Sequence, residues 1–321
     1  MKEKENIFVA QKSYPRLDAF LAEMLPQLSK NKVKSLIQEN KVLLNGNPTR
    51  AGILIDIGDI AELLEMTEVA IPGERKKTDK KLEVLFEDEH IIIANKERGM
   101  SSVLHSAEDE ITVADLACIY CESCKDAADD VRDGGLVQRL DYWTSGGVII
   151  SKTKESFIKF RDLIKQDGIS KSYLAVVENQ RKQEVKKVAF EVNKSLKLTK
   201  GGSRVEVKDF VEFEEKDIFQ AKTKLELAAE LERGFLVFKA SGQSMRRHQV
   251  RAHLSFAGFP LVGDELYESR RKLSEITFFK ELGYQGFFLH ASTLSFRHPF
   301  SFRNVSIKIP SELEKNGLIK Q

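Results

Sequence analysis

Cysteine is scarce in this sequence, with three residues in 321. Three thiols do not make a disulfide framework, which favours a reducing compartment. Long apolar runs are also missing, and the opening segment MKEKENIFVAQKSYPR lacks the apolar core that a signal peptide needs. We therefore expect a cytoplasmic protein that has no contact with membranes.

An excess of one charge is missing too, because 51 Lys and Arg face 49 Asp and Glu. A net charge of +2 excludes a uniformly basic coat, although local basic patches stay allowed. Phosphate-binding loops and dinucleotide fingerprints are absent, so no nucleotide cofactor is expected. Cys118, Cys121 and Cys124 recur every three residues, but a zinc site needs four ligands, so we expect inert thiols and no metal.

Residues 1–66 have the pattern of a small α+β unit. RLDAFLAEML and SKNKVKSLIQEN each carry apolar residues at helical spacing, and Asn45-Gly46 predicts a tight hairpin turn between two β-rich runs. Five basic residues accompany these elements: Lys30, Lys32, Lys34, Lys41 and Arg50. Without further evidence, such a run of charges is more often a solvated surface than a binding site.

The remainder of the chain predicts a linker and a larger unit. Residues 67–81 are polar and contain Pro72-Gly73, which is typical of a linker. Residues 82–321 mix strand-like and helical segments in an order that favours an α+β fold with a largely antiparallel sheet. We expect both units to belong to a monomer.

Asp141 lies in an apolar stretch of the sequence, where burying an ionised side chain costs free energy. RLDYWTSGGVIISKT (residues 139–153) places Asp141 at the mouth of an apolar, strand-forming run. An ionised carboxylate is costly to desolvate unless a cation compensates it. This position therefore predicts a reactive or paired acid.

A second segment concentrates cations at the start of a predicted helix. Arg246, Arg247, His248 and Arg251 crowd this stretch of the chain. Cations oppose the partial positive charge of a helix N-terminus, unless an anion such as phosphate or a buried carboxylate binds there. A solvated basic turn is the alternative interpretation.

These segments resemble the motifs of the large-ribosomal-subunit (RluA-type) pseudouridine synthases. RLDYWTSGG is similar to that family's His-Arg-Leu-Asp-x-x-Thr-Ser-Gly motif. Four further matches follow the family's order: VLFEDEHIIIANKERGM, KSYLAVV, RRHQVRAHL with GFPLVGDELY, and LHASTLSF. Residues 15–65 also resemble the alpha-L RNA-binding domain of a small-subunit ribosomal protein, which often precedes such synthases.

The resemblance implies that the protein converts uridine to pseudouridine in RNA without a cofactor. It assigns Asp141 as the essential acid, acting as nucleophile or as base in a glycal route. Arg251 is then its cationic partner, and Tyr173 stacks on the flipped uracil and presents its hydroxyl. Arg139 orients the loop or meets phosphate, and Arg246, Arg247 and His248 hold the backbone of the RNA. The resemblance also implies that the five basic residues within residues 1–66 contact RNA phosphates.

Four positions depart from the family pattern. Gln138 replaces a histidine, Trp143 an acid, Glu97 a proline and Met245 a glycine. We expect Trp143 to offer a surface that stacks on a base.

Ribosomal RNA is the favoured substrate, with transfer RNA as the alternative. A binding-only relative and a glycosidase are the other open functions, but a glycosidase needs a second positioned acid.

Overall fold

The computed structural model describes residues 6–25, 28, 30–64, 72–73, 78–104, 110–180, 189–199, 204–209 and 217–319. Most of the predicted linker lies outside these residues, and so does Ser29, the N-cap that the sequence predicts for the helical segment SKNKVKSLIQEN. No helix within the described ranges is long and apolar enough to cross a bilayer. The sequence predicted an α+β fold with largely antiparallel sheets, and that prediction is confirmed.

Residues 6–25, 28 and 30–64 form a small sheet that is covered by two helices. Its elements are β1 (Ile7–Val9), α1 (Leu17–Met24), α2 (Lys30–Gln38), β2 (Val42–Leu44), β3 (Asn47–Pro48) and β4 (Ile60–Leu63). The strands pair antiparallel in the order β1-β4-β2-β3. The predicted hairpin is present because Asn45 and Gly46 both have positive φ, which a tight turn of this kind requires.

This unit buries its own core. Apolar side chains from both helices and the sheet pack together, including Leu17, Phe20, Leu36, Val42 and Ile55. The cluster contains only residues between positions 8 and 63, so the apolar faces predicted from periodicity are satisfied within the unit.

The rest of the described chain is built around a nine-stranded sheet. Its strands and helices, in chain order, are β5 (Glu83–Glu87), β6 (Ile91–Lys96), α3 (Val113–Tyr120), β7 (Thr144–Ser151), α4 (Lys154–Lys165), β8 (Ile169–Val177), β9 (Ala189–Asn193), β10 (Ser195–Leu198), β11 (Val205–Lys208), β12 (Ile218–Phe219), β13 (Lys222–Glu230), β14 (Leu236–Gln243), α5 (Gln249–Phe256), α6 (Thr277–Glu281), β15 (Leu289–Arg297), β16 (Asn304–Lys308) and α7 (Glu312–Lys315).

The order of strands brings distant segments of the chain together. The sheet runs β5-β6-β7-β15-β8-β14-β13-β9, with β16 on β15, while β10, β11 and β12 form a separate small sheet. Every pair in the large sheet is antiparallel except β7 with β15, which is parallel. Leu289 of β15 pairs with Thr144 of β7 on one side and with Ala175 of β8 on the other. One strand, β15, therefore separates the start of β7 from β8.

Gly146 permits the close approach of β7 and β15. Its φ is +108°, and a Cβ atom there would lie 2.3 Å from the carbonyl oxygen of Ala291. Any other residue would push the two strands apart. Gly146 belongs to the Ser-Gly-Gly sequence that follows Asp141. This sequence therefore allows β7, the strand that continues from the Asp141 loop, to pack against β15.

The three cysteines are distributed over a helix and the turn that follows it. Cys118 is buried on α3, while Cys121 and Cys124 lie beyond the helix, and all three are free thiols. Burial raises the pKa of the Cys118 thiol to about 12, which keeps it protonated and unreactive at neutral pH. No metal-binding group of three or more His, Cys, Asp or Glu occurs among the described residues.

Candidate active site

A cavity of about 730 Å³ opens where β7, β8 and α5 meet. Seven Arg and Lys side chains line it, and Asp141 is the one acid among the described lining residues. The seven cations are Arg139, Arg161, Lys165, Lys171, Arg246, Arg247 and Arg251. This excess of positive charge favours a polyanionic ligand.

Asp141 lies in a loop that is held by its backbone. The Thr144 amide donates to the Asp141 carbonyl at 3.0 Å, and the Ser102 hydroxyl donates to the Leu140 carbonyl at 2.7 Å. The segment from Arg139 to Trp143 is a loop, and β7 begins only at Thr144. The loop leaves the Asp141 side chain 27% exposed, at the cavity surface.

Arg251 is the direct partner of Asp141. It projects from the first turn of α5, and its Nη1 donates to Asp141 Oδ2 at 2.8 Å. Its Nε and Nη2 donate to both oxygens of Asp264, at 2.7 and 2.9 Å. Burial alone would lower the pKa of the Arg251 guanidinium, but the hydrogen bonds to Asp264 and the charge of Asp141 outweigh burial and raise it. Arg251 thus carries a fixed charge that faces two carboxylates.

Lys96 supplies a second buried cation near Asp141. It ends β6, is 1% exposed, and its Nζ donates to the carbonyls of Glu97 and Tyr142 at 2.8 and 3.1 Å. Burial lowers the pKa of Lys96 to about 7, although the charge of Asp141 opposes that shift. The ammonium therefore titrates close to neutral pH beside the acid.

Tyr173 and Lys171 project from the same face of β8 into the cavity. Both are buried, at 6% and 5% exposure. Burial and the charge of Asp141 raise the pKa of the Tyr173 phenol, so it stays protonated. Burial lowers the pKa of Lys171 to about 8. Tyr173 thus presents an apolar ring and a neutral hydroxyl close to the acid, as a stacking residue requires.

His248 lies in the site rather than on an open surface. Its Nε2 is 3.5 Å from Asp141 Oδ1, and its Nδ1 is 3.1 Å from the Tyr267 hydroxyl. Burial lowers its pKa to about 4, against the charge of Asp141, so the ring is neutral at pH 7. The His248 side chain lines the cavity, and its contact with the RNA backbone stays a prediction.

The other predicted cations lie at the rim of the cavity. Arg139 is half exposed and its Nη2 donates to Asp133 at 2.7 Å, which suits an orienting role in the loop. Arg246 lies with its guanidinium 5.6 Å from the ring of Phe219, and Arg247 is exposed. These two arginines occupy the turn before α5, where the sequence predicted them to be.

Trp143 does not line the cavity among the described residues. Its indole packs on Gly286, where a Cβ atom would lie 2.5 Å from the ring, and Arg98 lies 5.4 Å from the ring centre. The expectation that Trp143 stacks on a base is therefore wrong. Tyr142, which is 46% exposed, is the aromatic side chain of this loop that faces the cavity.

Polar side chains of the cavity wall have buried atoms without hydrogen-bond partners. Within the described part of the chain these are both amide atoms of Gln138 and the hydroxyls of Thr144 and Ser244. Buried polar groups are nearly always paired, so a bound water or a rotation of these side chains is expected to supply the missing partners. Gln138, the departure from the family histidine, thus keeps a polar group in the wall.

The basic residues predicted in the first unit are only partly available. Lys34 lies 3.7 Å from Asp18, and Lys41 lies 3.7 Å from Glu39. Arg50 is exposed on the loop after β3. The side chains of Lys30 and Lys32 lie outside the described residues.

Sequence reasoning gave no role to Lys96, Lys171 or Asp264. Each belongs to a segment that carries the resemblance, since Lys171 begins KSYLAVV and Asp264 ends the Pro-Leu-x-Gly-Asp string. The signal was therefore present, but only the fold shows what these side chains contact.

Comparison with known proteins is consistent with this geometry. A family model described as RNA pseudouridylate synthase matches residues 90–256, which is more than half of the chain, and an S4 domain matches residues 15–60.

Individual relatives match almost the whole chain. An RNA pseudouridine synthase of Helicobacter pylori strain J99 is 28% identical over 95% of this chain and 89% of its own. Ribosomal large subunit pseudouridine synthase C of Escherichia coli K12 is 27% identical over 94% of this chain and 91% of its own. The structure of human RNA pseudouridylate synthase domain containing 4 has the same fold, with a TM-score of 0.52 and 17% identity over 74% of this chain and 91% of its own.

Proposed function

Because this chain belongs to the RNA pseudouridylate synthase family, we propose that it isomerises a specific uridine of 23S ribosomal RNA, with Asp141 as the catalytic acid and no cofactor. The activity on RNA follows from the family. The choice of ribosomal RNA rests on the Escherichia coli relative, whose name specifies the large ribosomal subunit. The S4 match at residues 15–60 supports RNA as the partner.

The observation that carries the proposal is the 2.8 Å contact between Arg251 and Asp141 in a cavity lined by seven cations. An RNA strand supplies the anions that such a lining attracts. Arg251 and Lys96 stabilise the ionised carboxylate, which reacts with the ribose as nucleophile or as base. The glycosidic bond breaks as Asp141 bonds to the anomeric carbon or removes a ribose proton. Carbon five of the turned uracil then bonds to the anomeric carbon as Asp141 is released or returns that proton, and carbon five loses its proton while nitrogen one gains one.

The detached uracil has to be held while it turns. A uridine must leave its stack to reach Asp141, at a cost of a few kcal/mol, and the cavity must repay that cost. Tyr173 supplies a buried ring on which the base stacks, and its protonated phenol can donate to the base. Arg139, Arg246 and Arg247 at the rim position the flanking backbone without reading its sequence.

We also propose a division of labour between two domains, with an RNA-binding domain over residues 1–66, a linker over 67–81 and catalysis beyond residue 82. The self-contained apolar cluster between residues 8 and 63 supports this boundary. Lys34, Lys41 and Arg50 then contact RNA phosphates. Lys30 and Lys32, which share α2 with Lys34, are proposed to do the same.

A glycosidase is the less favoured function. Such an enzyme requires a second acid near the reacting sugar. Asp264 is the neighbouring carboxylate, but its side chain is 1% exposed and both of its oxygens accept from Arg251.

Mapping pseudouridines by carbodiimide-dependent reverse-transcription stops, in cells with and without this protein, tests the proposal. We expect one stop in 23S ribosomal RNA to disappear and to return when the wild-type chain is restored. A missing stop in transfer RNA would shift the substrate. Free uracil released from RNA by the purified protein would indicate a glycosidase instead.

A further inference from the structure

Lys171 carries a buried ammonium. Its side chain lies on β8, the residue is 5% exposed, and no hydrogen bond or ion pair reaches the ammonium from any residue that the structure describes. The charge of Asp141 affects the pKa of Tyr173, whereas burial alone accounts for the shift at Lys171. An uncompensated ammonium in such a place is costly unless a ligand brings an anion.

Ser244 stands beside the same strand and is unpaired as well. Its backbone amide donates to the carbonyl of Ile169 at 2.7 Å, two residues before Lys171. Its side chain is buried, lines the cavity, and has a hydroxyl without a partner among the described residues. A buried ammonium and a buried hydroxyl in one wall together offer donors to an anionic oxygen.

The cavity lining carries further cations. Arg161 and Lys165 of α4 line the cavity and are exposed, although Lys165 also pairs with Asp162 at 2.8 Å, and no described acid other than Asp141 lines it. A neutral uracil carbonyl could accept a hydrogen bond from Lys171, but it would leave the charge uncompensated. A phosphate compensates it, and the basic lining attracts a nucleic-acid backbone to the cavity.

We propose that Lys171 and Ser244 form a binding subsite for one backbone phosphate adjoining the target uridine. The proposal rests on the proposed function and adds a contact to it. Asp141 and Tyr173 address the sugar and the base, while this subsite anchors the strand beside them. Its contribution is to binding, so KM should change and kcat should not.

A neutralised phosphate tests the subsite directly. RNA oligonucleotides that contain the target uridine are made with one uncharged methylphosphonate linkage, on its 5′ or its 3′ side. Lys171→Met should weaken the binding of unmodified RNA by about 10- to 100-fold, because a charge-assisted contact is lost. In the wild type, one of the two methylphosphonates should cause a similar loss. In Lys171→Met that same linkage should cause no further loss.

Matched variants separate this contact from general charge and from folding. Lys239→Met makes the same change at an exposed position of β14 that does not line the cavity. This variant should bind RNA as tightly as the wild type and stay as sensitive to both methylphosphonates. Lys171→Arg should keep much of the affinity. Fluorescence of Trp143, the one tryptophan of the chain, reports whether each variant is folded. If Lys171→Met fails to fold, Ser244→Ala is expected to show the same selective insensitivity to a smaller degree.

Two results of the methylphosphonate and kinetic comparison would overturn the subsite, in addition to unchanged RNA affinity of Lys171→Met. One is a Lys171→Met variant that stays as sensitive as the wild type to both methylphosphonates. The other is a loss confined to kcat, which would place the ammonium on the uracil. Product is measured in the same samples: a wild type that forms no pseudouridine contradicts the proposed function, while normal product with unchanged affinity in the variant contradicts only the phosphate contact.

Discussion

Arg251 and Asp264 form a buried, bidentate ion pair, with Nε and Nη2 at 2.7 and 2.9 Å from the two carboxylate oxygens. The pair leaves Nη1 as the donor that reaches Asp141. Because the fork is held by Asp264, the guanidinium keeps its orientation before substrate arrives. Such preorganisation lowers the cost of reorganisation during reaction.

The role of Asp141 can be tested with a near-isosteric change. Asp141→Asn should abolish pseudouridine formation, because an amide is neither a nucleophile nor a base, while the fold and RNA affinity stay close to the wild type. The measurement is single-turnover product formation together with RNA binding. Turnover within about tenfold of the wild type would contradict the assignment.

The stability of the Arg251 cluster should depend mainly on Asp264. Arg251→Leu is expected to destabilise the protein by about 3–5 kcal/mol, because it leaves a carboxylate buried without its cation. The Asp264 side chain is 1% exposed and that of Asp141 is 27% exposed, so Asp264 bears the larger loss. Adding Asp264→Asn to Arg251→Leu should therefore recover more stability than adding Asp141→Asn. Urea unfolding followed by Trp143 fluorescence measures the free energy of unfolding for both pairs of substitutions. Equal recovery would show that the two acids lose the same stabilisation when Arg251 is removed.

Lys96 should make stability depend on pH. Its pKa is about 7 in the folded protein, against an ordinary value of 10.5, because burial disfavours the ammonium. Between these values the unfolded chain binds more protons, so the free energy of unfolding should rise with pH across this window. In Lys96→Met the rise from pH 7 to pH 9 should be smaller than in the wild type. Lys171 is present in both proteins, so its own contribution cancels. Parallel profiles would show that Lys96 stays charged in the fold.

Removal of the first unit should weaken binding without removing activity. The truncated chain is best started at Pro72, because the amide of Gly73 in the linker donates to Asp115 of the larger unit at 3.0 Å. RNA affinity should fall, and each lost phosphate contact should remove about 0.7 from the slope of log affinity against log salt. Turnover at saturating RNA should stay close to that of the full chain. A folded truncation that is inactive at saturation would show instead that this unit helps to build the active site.

Local patterns account for what could be predicted from the sequence. The α1 and α2 helices and the Asn45-Gly46 turn depend on periodicity and on the φ angles that a few residues allow, so neighbours along the chain decide them. The candidate residues Asp141, Tyr173 and Arg251 came from short strings that resemble a family. All three line one cavity, but their catalytic roles stay predictions.

The tertiary structure alone decided how those residues are surrounded. Lys96 comes near Asp141 because β6 pairs with β7, and Tyr173 comes near it because β15 lies between β7 and β8. His248 was predicted from its place in a basic segment, but only packing shows that its ring lies beside Asp141 and Tyr267. Trp143 was predicted to face a base, yet its loop turns it onto Gly286. A side chain's direction in a loop is set by contacts with segments distant in sequence, and no local pattern contains them.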